Sequence, residues 1–147
     1  MDKIDRDIID LLRPDGRLSY RELGEAVCLS ANTVAERVRK LVGDGVLEGF
    51  GARVNLAAVN LQVQAMIDVK LLPGTAASHF EAVLATIPGV VESFLLTGSY
   101  DYLLRVACRD QAGLVQVIEA LRSRAGVQDT HSRMILRQAD IHAPLPR

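Results

Sequence analysis

The sequence predicts an α+β chain in two parts, and three observations carry that prediction. Over residues 4–41 the apolar positions recur every three or four residues, the period of one helix face. From residue 65 the texture changes to runs that alternate apolar and polar, the period of a strand, separated by two more helical stripes. Between the two textures, residues 56–64 show no strong period and read as a connector. The expected division is therefore 1–55, a connector over 56–64, and 65–147.

Each element follows from its residues. Ile4, Ile8, Leu11 and Leu12 set the first helix, which Pro14-Asp15-Gly16 ends. Ser19 followed by Glu22 is a capping box, so a second helix runs from Tyr20 to about Val27 and buries Leu23, Ala26 and Val27. Ser30 caps a third, whose Val34, Val38 and Leu41 fall on one face and which Gly43 to Gly45 terminates. Only Cys28-Leu29-Ser30 separates the second and third helices, which is the spacing of a helix-turn-helix. Val46 to Asn55 reads as a strand pair, a wing leaving that module.

In the second part, Ala65–Leu72 alternates with Ile67, Val69 and Leu71 on one face and Asp68 and Lys70 on the other. A helix with Phe80, Val83, Leu84 and Ile87 follows Pro73-Gly74 and stops at Pro88-Gly89. Val90–Thr97 and Tyr102–Arg109 are strands joined by the turn Gly98-Ser99-Tyr100-Asp101. Leu114, Val117, Ile118 and Leu121 mark another helix, and Val127–Leu136 a last strand. The order β-α-β-β-α-β predicts a ferredoxin-like sheet with both helices on one face. The other face would carry Val91, Ser93 and Leu95 or Glu92, Phe94 and Leu96, and either set asks for a cover such as a second sheet.

Composition limits the function. The 147 residues are 49% hydrophobic and 24% charged, enough apolar chain for real cores. Aromatics are 4% and Trp is absent, which argues against base stacking on single strands. The net charge of −1 conceals no basic half, since residues 1–55 carry nine basic and ten acidic side chains and the rest eight of each. Binding to a polyanion would have to use a local face. Cys28 and Cys108 lack metal or redox spacing, and a reduced cytoplasmic setting is expected. His79, His131 and His142 share no ligand spacing, so no metal and no cofactor is expected. His131 alternates with Thr130 and Ser132 and should face the other way. No apolar run is long enough to span a membrane, and the charged N-terminus is unlike a signal peptide.

Several stretches together closely resemble the Lrp/AsnC, or feast-famine, family of transcriptional regulators. They are Ile4-Asp5-Arg6-Asp7-Ile8-Ile9, Asp15-Gly16-Arg17-Leu18-Ser19, Glu22-Leu23-Gly24, Leu29 through Leu41, and Asp44 through Phe50. Gly98-Ser99-Tyr100-Asp101-Tyr102-Leu103-Leu104 marks the second part in the same way. The resemblance implies a winged helix-turn-helix that binds double-stranded DNA and a ferredoxin-like domain that senses a small molecule, an amino acid above all. It also implies homodimers that assemble to octamers. Relatives with this layout that decarboxylate a tetrapyrrole through His residues define an alternative, as does an effector-binding assembly module without DNA. No catalytic constellation stands out among the residues, and a non-enzyme is expected.

In a helix-turn-helix the second helix of the motif enters the major groove. Ser30, Ala31, Asn32, Thr33, Glu36 and Arg37 are then the candidates for base edges, Asn suiting adenine, Arg guanine, and methyl groups thymine. Arg39, Lys40 and Arg53 suit phosphates, as do Ser19, Tyr20 and Arg21 at the preceding helix start. The competing reading is a protein-contact module whose Arg37, Arg39 and Lys40 are merely solvated.

The resemblance places the effector at Gly98, Ser99, Tyr100, Asp101 and Tyr102, with Thr130 and Ser132 nearby. Amides at the Gly98 turn can hold a carboxylate and Asp101 an ammonium; a plain turn with Asp101 bonding its own backbone is the alternative. The sequence departs from the family at Cys28, where Gly is usual, at Asn55-Leu56, and at Ser99, where acidic residues are frequent. Cys28 is either a redox handle or a small buried filler.

Overall fold

The computed structural model describes residues 1–146. By internal contacts the chain forms two units: Met1–Arg53 together with the tail from Ala139 onward, and Val54–Gln138. By contacts the tail groups with the first unit, while in chain order it follows the second.

The first unit holds α1 (Lys3–Leu12), α2 (Tyr20–Val27) and α3 (Ala31–Gly43). All three begin with a side-chain cap. Asp2 and Asp5 form a capping box on α1, Ser19 and Glu22 one on α2, and Ser30 accepts from the Thr33 amide on α3. Ile8, Leu12, Leu23, Val34 and Val38 make the core, with Leu18, Val27 and Leu47 packed on its edge.

The turn between α2 and α3 is tight for two reasons. Cys28 sits at φ 58, ψ 42, and the amides of Cys28 and Leu29 both donate to the Gly24 carbonyl. A β-carbon on Gly24 would lie 2.5 Å from the Leu29 carbonyl oxygen, so only glycine fits there. Cys28 is left-handed, at a cost of about 1 kcal/mol for a side-chain-bearing residue. It is exposed, which removes the buried-filler reading.

The expected wing does not form as strands. Residues 46–55 are irregular; the amides of Val46 and Leu47 both turn back to the Leu41 carbonyl. Glycines at 45, 49 and 51 interrupt the run, Val46, Phe50 and Val54 stay exposed, and a lone two-stranded ribbon is marginal in water. The connector, expected over 56–64, is a compact turn in which Ala58 and Leu61 donate to the carbonyls of Asn55 and Leu56, and its last two residues already belong to the strand that follows.

The second unit contains β1 (Val63–Leu71), α4 (Ala77–Leu84), β2 (Val90–Leu95), β3 (Tyr102–Cys108), α5 (Gln111–Arg124) and β4 (Val127–Met134). The sheet order is β2-β3-β1-β4, antiparallel throughout, which is the ferredoxin-like arrangement. Ala65, Ile67, Val69, Leu104 and Val106 point to one face and are buried with Phe80, Leu84, Val117 and Leu121 of the two helices. Register settles which set of β2 lies on the open face: Glu92 and Phe94 pair with Arg105 and Leu103, opposite Met66 and Asp68. That face mixes charge with apolar surface.

Candidate DNA interface and effector loop

Burial of Val34, Val38 and Leu41 fixes which side of α3 faces out. Ala31, Asn32, Glu36, Arg39 and Lys40 are exposed on that side, and Thr33 is half-buried, its hydroxyl 2.8 Å from the Ser30 hydroxyl. Asn32, Glu36, Arg39 and Lys40 follow i, i+4, i+7, i+8 spacing, so they share one stripe. The stripe presents an amide, a carboxylate and two cations, which can respectively pair with a base edge, accept from an exocyclic amine and meet phosphates.

Arg37, expected to contact a base, is engaged within the unit in the free protein. Its Nη1 donates to Asp5 Oδ1 at 2.7 Å and to Asp2 Oδ2 at 2.8 Å, and its side chain is only 28% exposed. The same two aspartates cap α1. Arg37 therefore ties the start of α1 to the middle of α3, and these hydrogen bonds raise its affinity for its proton. The Asp2 carboxyl is lowered, first by the Asp5 amide and then by Arg37. A base contact by Arg37 would have to break two charge-assisted bonds. The sequence signal was present in the Asp2-Asp5 spacing, but nothing in it linked residue 37 to residues 2 and 5.

At the start of α2, Ser19 and Glu22 are engaged in their capping box, and the two hydrogen bonds from Ser19 lower the Glu22 carboxyl. Tyr20 is exposed, and Arg21 pairs with Glu25 at 2.9 Å on the surface. Arg53 is also paired: its Nη1 is 2.6 Å from both carboxylate oxygens of Asp140, which lowers Asp140 and raises Arg53. Sequence reading missed Asp140 as a partner because 87 residues separate the two.

In the second unit the Gly98–Asp101 turn joins β2 to β3. Gly98 has φ +115, with nothing within 4 Å of where a β-carbon would sit, and Ser99 is exposed. The turn's backbone is thus bare to solvent there, as a close-approaching ligand needs. The Asp101 carbonyl closes the hairpin by accepting from the Leu96 amide at 2.9 Å, but its side chain bonds outside the turn. Its amide donates to the Val69 carbonyl, its Oδ2 accepts from the Leu71 amide at 2.8 Å, and its Oδ1 lies 3.5 Å from Lys70 Nζ. It braces the turn against the end of β1, and an ammonium would have to displace Lys70.

Tyr102 is a core residue, not a pocket liner. It is 2% exposed, packs against Phe80 with ring centroids 4.6 Å apart and the planes tilted by 47°, and donates from its hydroxyl to Glu81 at 2.7 Å. Tyr100 is half-buried at the turn. Thr130 lies beside Val69 across β1 from Tyr102, accepting from Arg122 at 3.4 Å, while Ser132 is one step further along β4 beside Ile67. His131 faces the other way, as alternation requires, 3.8 Å from Asp68. The structure thus brings Asp101 and Thr130 to the same end of the sheet and leaves Ser132 more distant. Among the described residues no cluster of three or more His, Cys, Asp or Glu side chains could hold a metal. None of their helices is long and apolar enough to cross a membrane.

Comparison with known proteins agrees with both units. Residues 1–42 match the AsnC-type helix-turn-helix domain and residues 64–145 the Lrp/AsnC ligand binding domain. A transcriptional regulator of Pyrococcus horikoshii, FL11, is 32% identical over 99% of this chain and 96% of its own. The leucine-responsive regulatory protein of Salmonella typhimurium is 30% identical over 94% and 86%. Among solved structures, a transcriptional regulator of Neisseria meningitidis in complex with L-Met superposes with a TM-score of 0.89. It shares 34% identity, over 99% of this chain and 96% of that one.

Proposed function

We infer the function from one premise: the chain belongs to the Lrp/AsnC family, and it is a DNA-binding transcriptional regulator. Within that function we propose that α3 reads the major groove through Asn32 and Glu36, with Arg39 and Lys40 on phosphates and Ser19, Tyr20 and the α2 start on the backbone. The observation that carries this assignment is the single exposed stripe Asn32-Glu36-Arg39-Lys40, opposite the buried Val34-Val38-Leu41. Arg37 supports the helix rather than reading bases.

The second unit takes an amino acid at the Gly98–Tyr100 turn, its carboxylate on the bare turn amides and Thr130 at the flank. The L-Met complex of the Neisseria relative supports the ligand class. A second copy covers the open sheet face. In its support, Phe94 is 47% exposed there, an apolar side chain on a face with no cover of its own. The expected assembly is an even-numbered homo-oligomer that presents recognition helices to half-sites about one DNA turn apart.

Fluorescence anisotropy on DNA from upstream of the chain's own gene, at two salt concentrations and with and without an amino-acid mixture, tests this. Asn32→Ala should relax sequence preference, with a loss of about 1–3 kcal/mol on the preferred site. Arg39→Ala or Lys40→Ala should weaken all duplexes alike and reduce the salt slope by about one. If both kinds of variant bind like the parent, α3 is not the reading element.

A further inference from the structure

The first unit has a groove that α3 does not line. It has a volume of 750 Å³ and lies between the α1–α2 turn and the glycine-rich arm of residues 49–53. Three arginines edge it, Arg13, Arg17 and Arg53; the lining carboxylate is Asp15, whose Oδ1 accepts from the Arg17 amide at 2.9 Å, and Asp10 lies 3.7 Å from Arg13 Nη1. In a chain of net charge −1, such a cationic concentration on one small surface points to an anion.

The chain's own tail offers these arginines anionic and carbonyl oxygens. Asp140 places both carboxylate oxygens 2.6 Å from Arg53 Nη1, and Arg13 Nη1 donates to the Ala143 carbonyl at 2.7 Å. The Leu145 amide donates to Asp10 at 3.2 Å, and His142 Nε2 lies 3.2 Å from Asp140. A guanidinium that holds a carboxylate oxygen by a charge-assisted bond can hold a phosphodiester oxygen in its place. The Arg53 and Asp140 side chains are 67% and 60% exposed, and exposed pairs of this kind are weak and screened by salt. A polyanion with many charges can displace the tail.

Location identifies the polyanion. The groove shares Leu12, Gly16 and Phe50 with a neighbouring depression lined by Ser19 and Tyr20, the α2 start already assigned to the DNA backbone. We propose that Arg13, Arg17 and Arg53 form a second phosphate-binding groove for the backbone of the DNA flanking the α3 site, and that the tail, through Asp140 and the Ala143 carbonyl, occupies it in the free protein. This rests on the DNA-binding reading of α3. It assigns Arg13 and Arg17 a role and makes the tail a competitor of the flanking DNA.

The test is full-length protein on two duplexes, one covering only the α3 site and one with flanks of about a helical turn on each side. Anisotropy is read across a salt series. Asp140→Ala should tighten binding to the long duplex by about two- to five-fold, the range an exposed pair is worth. It should also steepen the slope of log K on log salt by about 0.9 per phosphate gained. On the short duplex it should change nothing. Chains ending at Gln138 should behave as Asp140→Ala does. The triple variant Arg13→Ala/Arg17→Ala/Arg53→Ala should flatten the slope on the long duplex and cancel the gain from Asp140→Ala. The groove assignment is overturned if Asp140→Ala and the shortened chain match the parent on both duplexes while Arg39→Ala is weakened. It is also overturned if the Asp140→Ala gain survives in the triple-arginine background. If Arg39→Ala is inert as well, the α3 reading falls and the groove falls with it.

Discussion

The two units are held together by different physics. The core of the second is a continuous set of fourteen buried residues between one sheet face and two helices. The core of the first is a cluster of five buried residues, with Ile9 and Leu41 buried outside it, supplemented by a cap on every helix and by ion pairs across its surface. Small helical modules bury a smaller share of their surface and lean on such extras. The charges that serve as extras here, Arg37 and Arg53, are among those that a polyanion would otherwise contact. In the first unit, stability and binding draw on the same side chains, whereas the second keeps its core apart from its exposed turn.

The largest expected effect exploits the difference in core size. Leu23 is fully buried and central to the small core. Leu23→Ala should cost about 2–5 kcal/mol, a large share of what so small a core supplies. Thermal melting followed by helical circular dichroism should then show the first unit melting well before the sheet, with DNA binding lost. The matching variant Leu104→Ala, in the larger core, should lower the sheet transition and leave the first unit's unchanged. A single shared transition in both variants would mean that the units do not fold independently.

A smaller effect separates stability from binding at Arg37. If Arg37 ties α1 to α3, Arg37→Ala and Asp5→Asn should lower the first unit's melting temperature alike. Both should weaken DNA binding only to the extent that α3 is displaced, without changing which sequence is preferred. The double variant should be no worse than either single one, the mark of a shared interaction. A base-reading Arg37 predicts the opposite: altered sequence preference with unchanged melting, and an inert Asp5→Asn.

What the sequence shows and what it hides follow from the same contrast. The helices and strands were legible because apolar period and caps are local: Ser19 with Glu22, Ser30, the Val34-Val38-Leu41 stripe and the alternation through Ile67 and Val69 all mark their elements. The strand register on the open face was not, because alternation leaves two sets of β2 equivalent until β3 is placed beside them. The wing failed because glycines at 45, 49 and 51 interrupt a segment whose Val46, Phe50 and Val54 have no partner strand to cover them. Site residues were legible as to type and misjudged as to employment. Arg37, Arg53 and Asp101 each look free in the sequence, yet are bound by groups 35, 87 and 30 positions away. Tyr102 sits in the turn motif but alternates into the core with Leu104 and Val106.

The smallest effect sets the pH limits of the two units against each other. In the first, the Asp2 and Glu22 carboxyls are lowered below their ordinary values of 3.8 and 4.5 by cap hydrogen bonds. The stability they contribute is present above those values and is lost as pH falls through the lower folded ones. In the second, burial and then the bond to Glu81 push the Tyr102 hydroxyl up from 10.0 to about 12. Its contribution is intact below the unfolded value and is lost as pH rises through the window between the two, because the unfolded chain releases that proton first. Acid should therefore melt the helical unit first and alkali the sheet unit. Tyr102→Phe should flatten the alkaline limb of the sheet transition without moving the acid limb of the other. Tyrosinate absorbance should show one residue ionising only on unfolding. If all three tyrosines ionised together in the folded protein, Tyr102 would not be the buried donor to Glu81 that anchors this end of the sheet.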